Sequence, residues 1–139
     1  MAECVFCDIV RGNLPRSRVY EDGETMAFLD LHPVHGGHTL VVPRTHIDDV
    51  ASCPPDLAAQ LFRVSAHVAD GIVRATRAQG FNIWTANGRA AGQEVFHLHL
   101  HVLPRFEEDT FGLRFPKGYP REANRTELDA MAERIKALL

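Results

Sequence analysis

The chain has 139 residues, of which 45% are apolar and 24% charged, and its formal net charge is −3. These values predict one soluble domain over residues 1–139 and exclude a basic, nucleic-acid-binding surface. No apolar run approaches the ~18 residues of a membrane span, and the charged start of the chain does not resemble a signal peptide. Three cysteines, an odd number, argue against a disulfide framework and favour a cytoplasmic location. We therefore expect neither nucleic acid nor a membrane as a partner.

The first half of the chain predicts a short helix followed by three strands. The helix is a short turn that follows a Cys-x-x-Cys pair and ends at Arg11, before a Gly-Asn pair. The Asp-Gly pair at 22–23 is typical of a β-hairpin, and Pro43 stops the last strand of this half. The strands themselves are predicted at three apolar-rich runs: 18–21, 25–30 and 39–42.

The second half predicts a long helix, two strands and a final helix. Pro54-Pro55-Asp56 is typical of a helix first turn, and the helix reaches about Gln79. A strand follows at 81–86 and precedes the strand described next. A last helix is predicted from a capped start at Thr126. Together these elements predict an α+β fold, with an antiparallel meander sheet of about five strands, one long inserted helix and one C-terminal helix. The long helix carries an apolar stripe that favours the core or a subunit interface: Leu57, Leu61, Val64, Val68 and Ile72.

Three histidines at alternate positions form the most informative pattern, in a predicted strand over 97–103. Only an extended strand places residues i, i+2 and i+4 on one face, so we expect His97, His99 and His101 to line one side, about 6–7 Å apart. Imidazole suits nucleophilic, acid–base or metal-ligand chemistry. The alternative is a polar sheet face that is merely rich in histidine. The residues between them are predicted to enter the core: Leu98, Leu100 and Val102.

The loop before this strand, residues 87–93, carries Gly88 and Gly92. Glycine lets backbone N–H groups approach an anion closely, as they do in phosphate-binding loops. Taken alone, the loop is equally typical of a plain hairpin turn. The imidazoles that follow it strengthen the first interpretation, because an anion held by the loop lies within reach of a neutral nucleophile.

The segment 92–105, GQEVFHLHLHVLPR, resembles the signature of the histidine-triad (HIT) nucleotide-binding family, His-φ-His-φ-His-φ-φ with φ apolar. The similarity covers about residues 4–106. Other segments resemble the N-terminal half of that family, in order and at similar spacing: Cys4-x-x-Cys7, Ala27-Phe28-Leu29-Asp30, Gly37 to Pro43, and His46.

The resemblance implies a nucleotidyl hydrolase or transferase with a HIT-like fold. The middle histidine, His99, is implied to attack the α-phosphorus of a purine nucleotide conjugate and to form a covalent nucleotidyl-histidine. Imidazole is mostly neutral at pH 7 and can attack without prior deprotonation. His101 is implied to hydrogen-bond phosphate oxygens or assist the leaving group, His38 is similar to the fourth active-site histidine, and His97 completes the triad. Such chemistry requires no catalytic metal.

The resemblance also implies a nucleotide-binding set. Asp30 matches the position that hydrogen-bonds ribose hydroxyls, and Phe28 and Leu31 are expected to flank the base. Many family members have Ser or Thr where this chain has Glu94; a carboxylate there would repel phosphate unless it points away, so the leaving-group preference stays open. The remaining members lie in the loop and the histidine strand: Asn87, Gly92, Gln93, Glu94, Val95, His99 and His101.

The Cys-x-x-Cys pair is typical of a redox motif or of half a zinc site. A redox motif expects a preceding strand, and only three residues precede this pair, which favours zinc. Some bacterial members of the resembled family carry a structural zinc whose fourth ligand is the first triad histidine. The alternative is two reduced thiols packed as small hydrophobes. The implied ligands make a closed tetrahedral set: Cys4, Cys7, His46 and His97.

Two other functions remain open on sequence alone. The three triad histidines could hold a catalytic zinc in a hydrolase, because His-x-His on a strand also suits open three-histidine sites. The chain could also be a nucleotide-binding regulatory module with little turnover. The resemblance further implies a homodimer that joins through the 56–79 helix and a neighbouring strand.

Overall fold

The structure is a computed structural model and describes residues 4–139. It has two compact units: the first ends at Asp109, and the second spans Thr110–Leu139. The single domain over 1–139 stays a prediction, whereas the α+β class with a five-stranded antiparallel sheet is confirmed. The elements are α1 Val5–Arg11, β1 Arg18–Glu21, β2 Thr25–Leu29, β3 Thr39–Pro43, α2 Pro55–Thr76, β4 Gly80–Trp84, β5 Leu100–Arg105 and, in the second unit, α3 Arg125–Lys136.

The sheet has the strand order β1-β2-β3-β5-β4, with every neighbouring pair antiparallel. β5 therefore lies between β3 and β4. His101 on β5 is paired with Leu40 on one side and with Trp84 on the other. Because directly opposite residues share a face of the sheet, this register brings Trp84 next to a triad histidine.

Two apolar clusters cover the two faces of the sheet. The predicted stripe of α2 is buried from Leu61 to Ile72 and packs against one face, together with Leu98, Leu100 and Val102. The alternate residues of β2 and β3 pack with α1 in a second cluster. Since side chains alternate across a strand, α1 and α2 lie on opposite faces, and the triad histidines share the α1 face.

The long helix is shorter than the spacing predicts. It ends at Thr76 and not at about Gln79, because Arg77 adopts a positive φ of 57°. The Gln79 amide then donates to the Arg105 carbonyl (3.0 Å) and joins the sheet. Within the described residues, no helix is both long enough and apolar enough to cross a membrane.

The histidine strand begins later than predicted. β5 starts at Leu100 and not at His97, because the Leu98 amide donates to the Ile47 carbonyl (2.6 Å) instead of to a strand. β4 likewise ends at Trp84 rather than at residue 86. The three earlier strands match their predicted bounds to within one residue.

The final helix is capped two residues earlier than predicted. Asn124, and not Thr126, is the capping residue of α3. Its side-chain oxygen accepts hydrogen bonds from the amides of Thr126 (2.9 Å) and Glu127 (3.3 Å). Asn is a favoured capping residue because its side-chain oxygen satisfies amides of the first turn.

Gly37 fixes the approach to His38. It has a positive φ of 98°, which favours glycine, and an added Cβ would lie 2.9 Å from the Thr76 Cγ2 atom of α2. The loop before β3 is therefore packed directly against the long helix. This packing holds the neighbouring His38 at the end of the sheet.

Asp22 in the β1–β2 hairpin gives a testable pH dependence. Its carboxylate accepts the amides of Glu24 (2.9 Å) and Thr25 (2.8 Å), the Tyr20 hydroxyl (2.9 Å) and the Gln60 amide (2.9 Å). Burial raises the pKa of Asp22, but these hydrogen bonds outweigh it and hold the pKa well below its usual range. The folded pKa is below the unfolded one, so this stabilisation is present above about pH 4 and is lost as the pH falls further.

We expect Asp22→Asn to lower the free energy of unfolding by about 2 kcal/mol at pH 7. The difference in the free energy of unfolding between the parent and this variant should shrink between about pH 4 and pH 2, because the parent carboxylate then takes up a proton. Urea unfolding of both proteins at several pH values across this range measures the two free energies of unfolding. Asp70→Asn, which removes an exposed ion pair with Arg74, is the control; an equal effect of that change would contradict the assignment.

Candidate active site and metal centre

The triad histidines form a continuous row on the α1 face, as predicted. The rings of His99 and His101 have centroids 5.0 Å apart, which is closer than the predicted 6–7 Å spacing along the strand. Phe6 of α1 presents its ring edge-to-face to both His97 (5.9 Å) and His99 (5.1 Å). His97 and His99 are buried, so these two rings pack within the protein and are not part of a solvent-facing surface.

The hydrogen bonds of His99 define its reactive atom. Its Nδ1 lies 2.7 Å from the His97 carbonyl oxygen. A carbonyl oxygen only accepts, so Nδ1 carries the proton and Nε2 keeps its lone pair. Burial lowers the pKa of His99 and favours this neutral form. The ring is thus held in the tautomer that a nucleophile requires.

A chain of hydrogen bonds links His38 to His101. The Val34 amide donates to His38 Nδ1 (3.2 Å), so the neutral His38 ring carries its proton on Nε2. That atom lies 2.9 Å from His101 Nδ1, which must accept and leaves the His101 proton on Nε2. Burial lowers the pKa of His38, and burial, with His99 and His38 nearby, lowers the pKa of His101 to about 4. Both rings are therefore neutral donors near pH 7.

Asp30 lies beside this chain. Its Oδ2 is 3.7 Å from His38 Nε2, and its Oδ1 accepts the His32 amide (2.9 Å). Asp30, His38 and His101 are close enough to share a cation. However, the Val34 amide requires a lone pair on His38 Nδ1 and so keeps a proton on the Nε2 atom that would have to bind the ion. This cluster therefore fits hydrogen bonding better than metal binding.

The four predicted zinc ligands converge within 4.8 Å of one another. Cys4 Sγ lies 3.4 Å and Cys7 Sγ 3.6 Å from His97 Nδ1, and Cys7 Sγ lies 3.3 Å from His46 Nδ1. Zn–S and Zn–N bonds of about 2.3 and 2.0 Å at a tetrahedral angle separate sulfur and nitrogen by about 3.5 Å. The observed separations match this value, so the donor set fits a tetrahedral zinc ion.

The outer hydrogen bonds of both ligand histidines also suit a metal. His46 Nε2 donates to Asp48 (2.9 Å), and His97 Nε2 donates to the Pro43 carbonyl (2.8 Å). Each bond leaves a lone pair on Nδ1, the atom that faces the sulfurs, as is usual for histidine ligands of metals. Burial, with Cys4 adding to it, raises the pKa of the Cys7 thiol, whereas a redox motif needs a lowered one.

The residues expected at the base and ribose differ in accessibility. Phe28 is only 3% exposed, with its ring against Phe6 (5.7 Å), whereas Leu31 is 87% exposed. Asp30 follows β2 between them. Phe28 thus belongs to the core cluster of the α1 face, and Leu31 is the accessible apolar side chain of this pair.

The side chain of Gln93 holds the loop before the triad in place through hydrogen bonds. Gln93 accepts the Gly88 amide (2.8 Å) and donates to the carbonyls of Asp48 (2.6 Å) and Val95 (3.1 Å). Gly88 and Gly92 both have positive φ, and a short 3₁₀ turn lies between them, so the loop is not a plain hairpin turn. The other predicted members are placed as follows: Asn87 accepts the Val50 amide (2.9 Å), Glu94 is exposed, and Val95 packs against the core.

Two aromatic residues of the site were missed by the sequence analysis. Trp84 of β4 stacks on His101, with centroids 4.4 Å apart and planes at 4°, and Phe6 contacts two triad rings. Neither residue was assigned a role from the sequence. Side chains of β4 alternate between the two faces of the sheet. Had the register of β4 against β5 been known, this alternation would have placed Trp84 on the same face as His101.

Comparisons with known proteins agree with this geometry. The HIT domain family profile matches residues 11–108. Adenylylsulfatase HINT3 of Arabidopsis thaliana is 39% identical over 77% of this chain and 54% of its own length. A HIT family protein from Bacillus anthracis has a TM-score of 0.91 at 38% identity, covering 99% of this chain and 98% of its own.

A second solved structure bears on the metal centre. A Zn-bound histidine triad family protein from Mycobacterium smegmatis has a TM-score of 0.76 at 37% identity, and the match covers 99% of this chain and 98% of that one. The profile covers well over half of the chain and includes the loop, the triad and His38. The chain therefore belongs to the HIT domain family.

Proposed function

We propose that this chain is a nucleotidyl hydrolase or transferase. Its substrate is a purine nucleotide conjugate, and the bond cleaved is a phosphoramidate or phosphoanhydride bond at the α-phosphorus. The observation that carries the proposal is the tautomer of His99, whose Nδ1 proton is held by the His97 carbonyl while Nε2 is left nucleophilic. The adenylylsulfatase relative supports an adenylyl substrate.

The reaction proceeds in two displacements at phosphorus. His99 Nε2 forms a bond to the α-phosphorus, and the bond to the leaving group breaks with its electron pair. The Nε2–H of His101 donates to a phosphate oxygen. The Nε2–H of His38 donates to His101 Nδ1 and so keeps the His101 ring in the tautomer that can donate from Nε2. Water, or another acceptor that carries a hydroxyl group, then bonds to the same phosphorus. The bond from phosphorus to His99 Nε2 breaks with its electron pair on nitrogen, and the proton of the acceptor passes to solvent.

The same proposal assigns a structural zinc to Cys4, Cys7, His46 and His97. When bound, the ion supplies a cross-link between the start of α1 and the segment that leads into β5. The matching sulfur–nitrogen separations and the zinc-bound relative support it. The ion has no role in bond cleavage.

The hydrogen bonds of the triad disfavour the three-histidine zinc hydrolase. His97 Nδ1 faces the cysteine sulfurs, His99 Nδ1 faces a carbonyl, and His101 Nδ1 faces His38. Three rings directed at three different partners are not arranged around one ion. The regulatory module with little turnover is left as an outcome of the experiment below.

We also propose that the protein is a homodimer. β4 is an edge strand of the sheet, and Phe81 on it and Phe62 on α2 are exposed. An unpaired edge with exposed aromatic residues is a favourable surface for joining a second copy. This surface includes the helix and neighbouring strand expected from the sequence.

Trapping the covalent intermediate tests the proposed function. The protein is mixed with adenylyl sulfate, an adenosine phosphoramidate or a dinucleoside polyphosphate, quenched in acid-free denaturant, and measured by intact mass. We expect an added nucleotidyl group on the parent and none on His99→Ala. Nucleotide binding without any adduct would favour the regulatory module, and an adduct that persists in His99→Ala would contradict the assignment of the nucleophile.

A further inference from the structure

Trp84 is the single tryptophan of the chain and lies against the proposed phosphate-binding histidine. Its ring is stacked nearly parallel to that of His101, with a centroid distance of 4.4 Å and an interplanar angle of 4°. Its centroid is also 5.9 Å from that of His38. The cross-strand pair of Trp84 with His101 makes this contact a consequence of the sheet register.

The stack restrains the one motion of His101 that the hydrogen bonds leave open. Rotation about the last side-chain torsion of histidine is soft, because a terminal sp³–sp² torsion has broad minima. One face of the imidazole is covered by Trp84, and its Nδ1 lies 2.9 Å from His38 Nε2. The indole keeps the imidazole in one plane, and within that plane the hydrogen bond to His38 keeps Nδ1 toward His38 and Nε2 on the other side.

We propose that Trp84 is a positioning residue, which fixes the plane of His101 so that its Nε2–H is aimed at the substrate phosphate. This inference rests on the proposed nucleotidyl-transfer function. Trp84 acts through His101 and is not itself in contact with the reacting atoms. A misdirected donor weakens transition-state stabilisation more than substrate binding, so its loss should appear mainly in kcat.

Two substitutions of Trp84 distinguish an effect of its planar ring from an effect of its side-chain volume. Trp84→Phe retains an aromatic face, whereas Trp84→Leu retains an apolar side chain without one. We expect Trp84→Leu to lower kcat about tenfold to a hundredfold with KM changed less than about threefold, and Trp84→Phe to remain within about threefold of the parent. An equal loss of kcat in both variants, or no loss in Trp84→Leu, would overturn the proposal.

The ¹⁵N resonances of the His101 ring, assigned by their absence in His101→Gln, provide a readout without turnover. In the nucleotide-free parent we expect one tautomer with the proton on Nε2, and in Trp84→Leu an average of two. Ile83→Ala, which truncates a core-facing side chain of the same strand, should lower stability and leave the tautomer unchanged. The same averaging in Ile83→Ala would overturn the proposal. Failure of the His99 adduct would instead reject the function and leave this tautomer result intact.

Discussion

Replacing His99 with alanine should lower kcat/KM by at least about 10³-fold. The variant loses the atom that bonds to phosphorus, and neither His101 nor His38 can substitute, because the Nδ1 of His101 and the Nε2 of His38 already engage each other. We expect nucleotide affinity to change far less than turnover. Steady-state kinetics with an adenylyl conjugate, together with equilibrium binding of the mononucleotide product, measures both quantities.

His67→Ala is the matched control for this variant. His67 lies on α2 with its ring against Tyr20 (5.9 Å), away from the triad, and its loss should leave kcat/KM within about twofold. Thermal unfolding should show that both variants remain folded. Turnover by folded His99→Ala at the parent rate would disprove the covalent mechanism.

Replacing Cys7 with alanine should abolish stoichiometric zinc and lower stability substantially. Its sulfur is the donor that lies near both ligand histidines, at 3.3 Å from His46 Nδ1 and 3.6 Å from His97 Nδ1. A ligand present at about 1,000 times its Kd stabilises the folded state by roughly 4 kcal/mol. For a chain of this size, that loss corresponds to a fall in Tm of about 14 °C. Elemental analysis and calorimetry measure the two effects.

The third cysteine provides the comparison. Cys53 is buried in the core cluster of α2 and lies outside the ligand set. Cys53→Ala should keep one zinc per chain and lose about 1 kcal/mol of stability. If Cys7→Ala also keeps one zinc per chain, the proposed ligand set is wrong.

The sequence predicted those parts of the site that depend on local spacing. The alternation of His97, His99 and His101 specifies a face of an extended segment without any knowledge of the rest of the fold. The stripe of α2 likewise needs only helical periodicity, and it is buried as expected. In contrast, the choice of four zinc ligands needed resemblance to a family, since His46 and His97 are far apart in sequence.

The protonation states of the site could not be predicted in this way. The Nδ1 of His38 accepts a backbone amide, that of Val34, and this contact depends on the path of a loop and not on residue type. The stack of Trp84 on His101 depends on the register in which β4 pairs with β5. Cross-strand register is a tertiary property, so it left no signal in either segment alone.

His97 joins the proposed zinc site to the proposed nucleophile. Its imidazole faces the cysteine sulfurs, and its backbone carbonyl orients His99. Because the orienting atom belongs to the backbone and the ion takes no part in bond cleavage, folded chains without zinc should turn over substrate at the parent rate. Heat should inactivate those chains earlier than zinc-loaded ones.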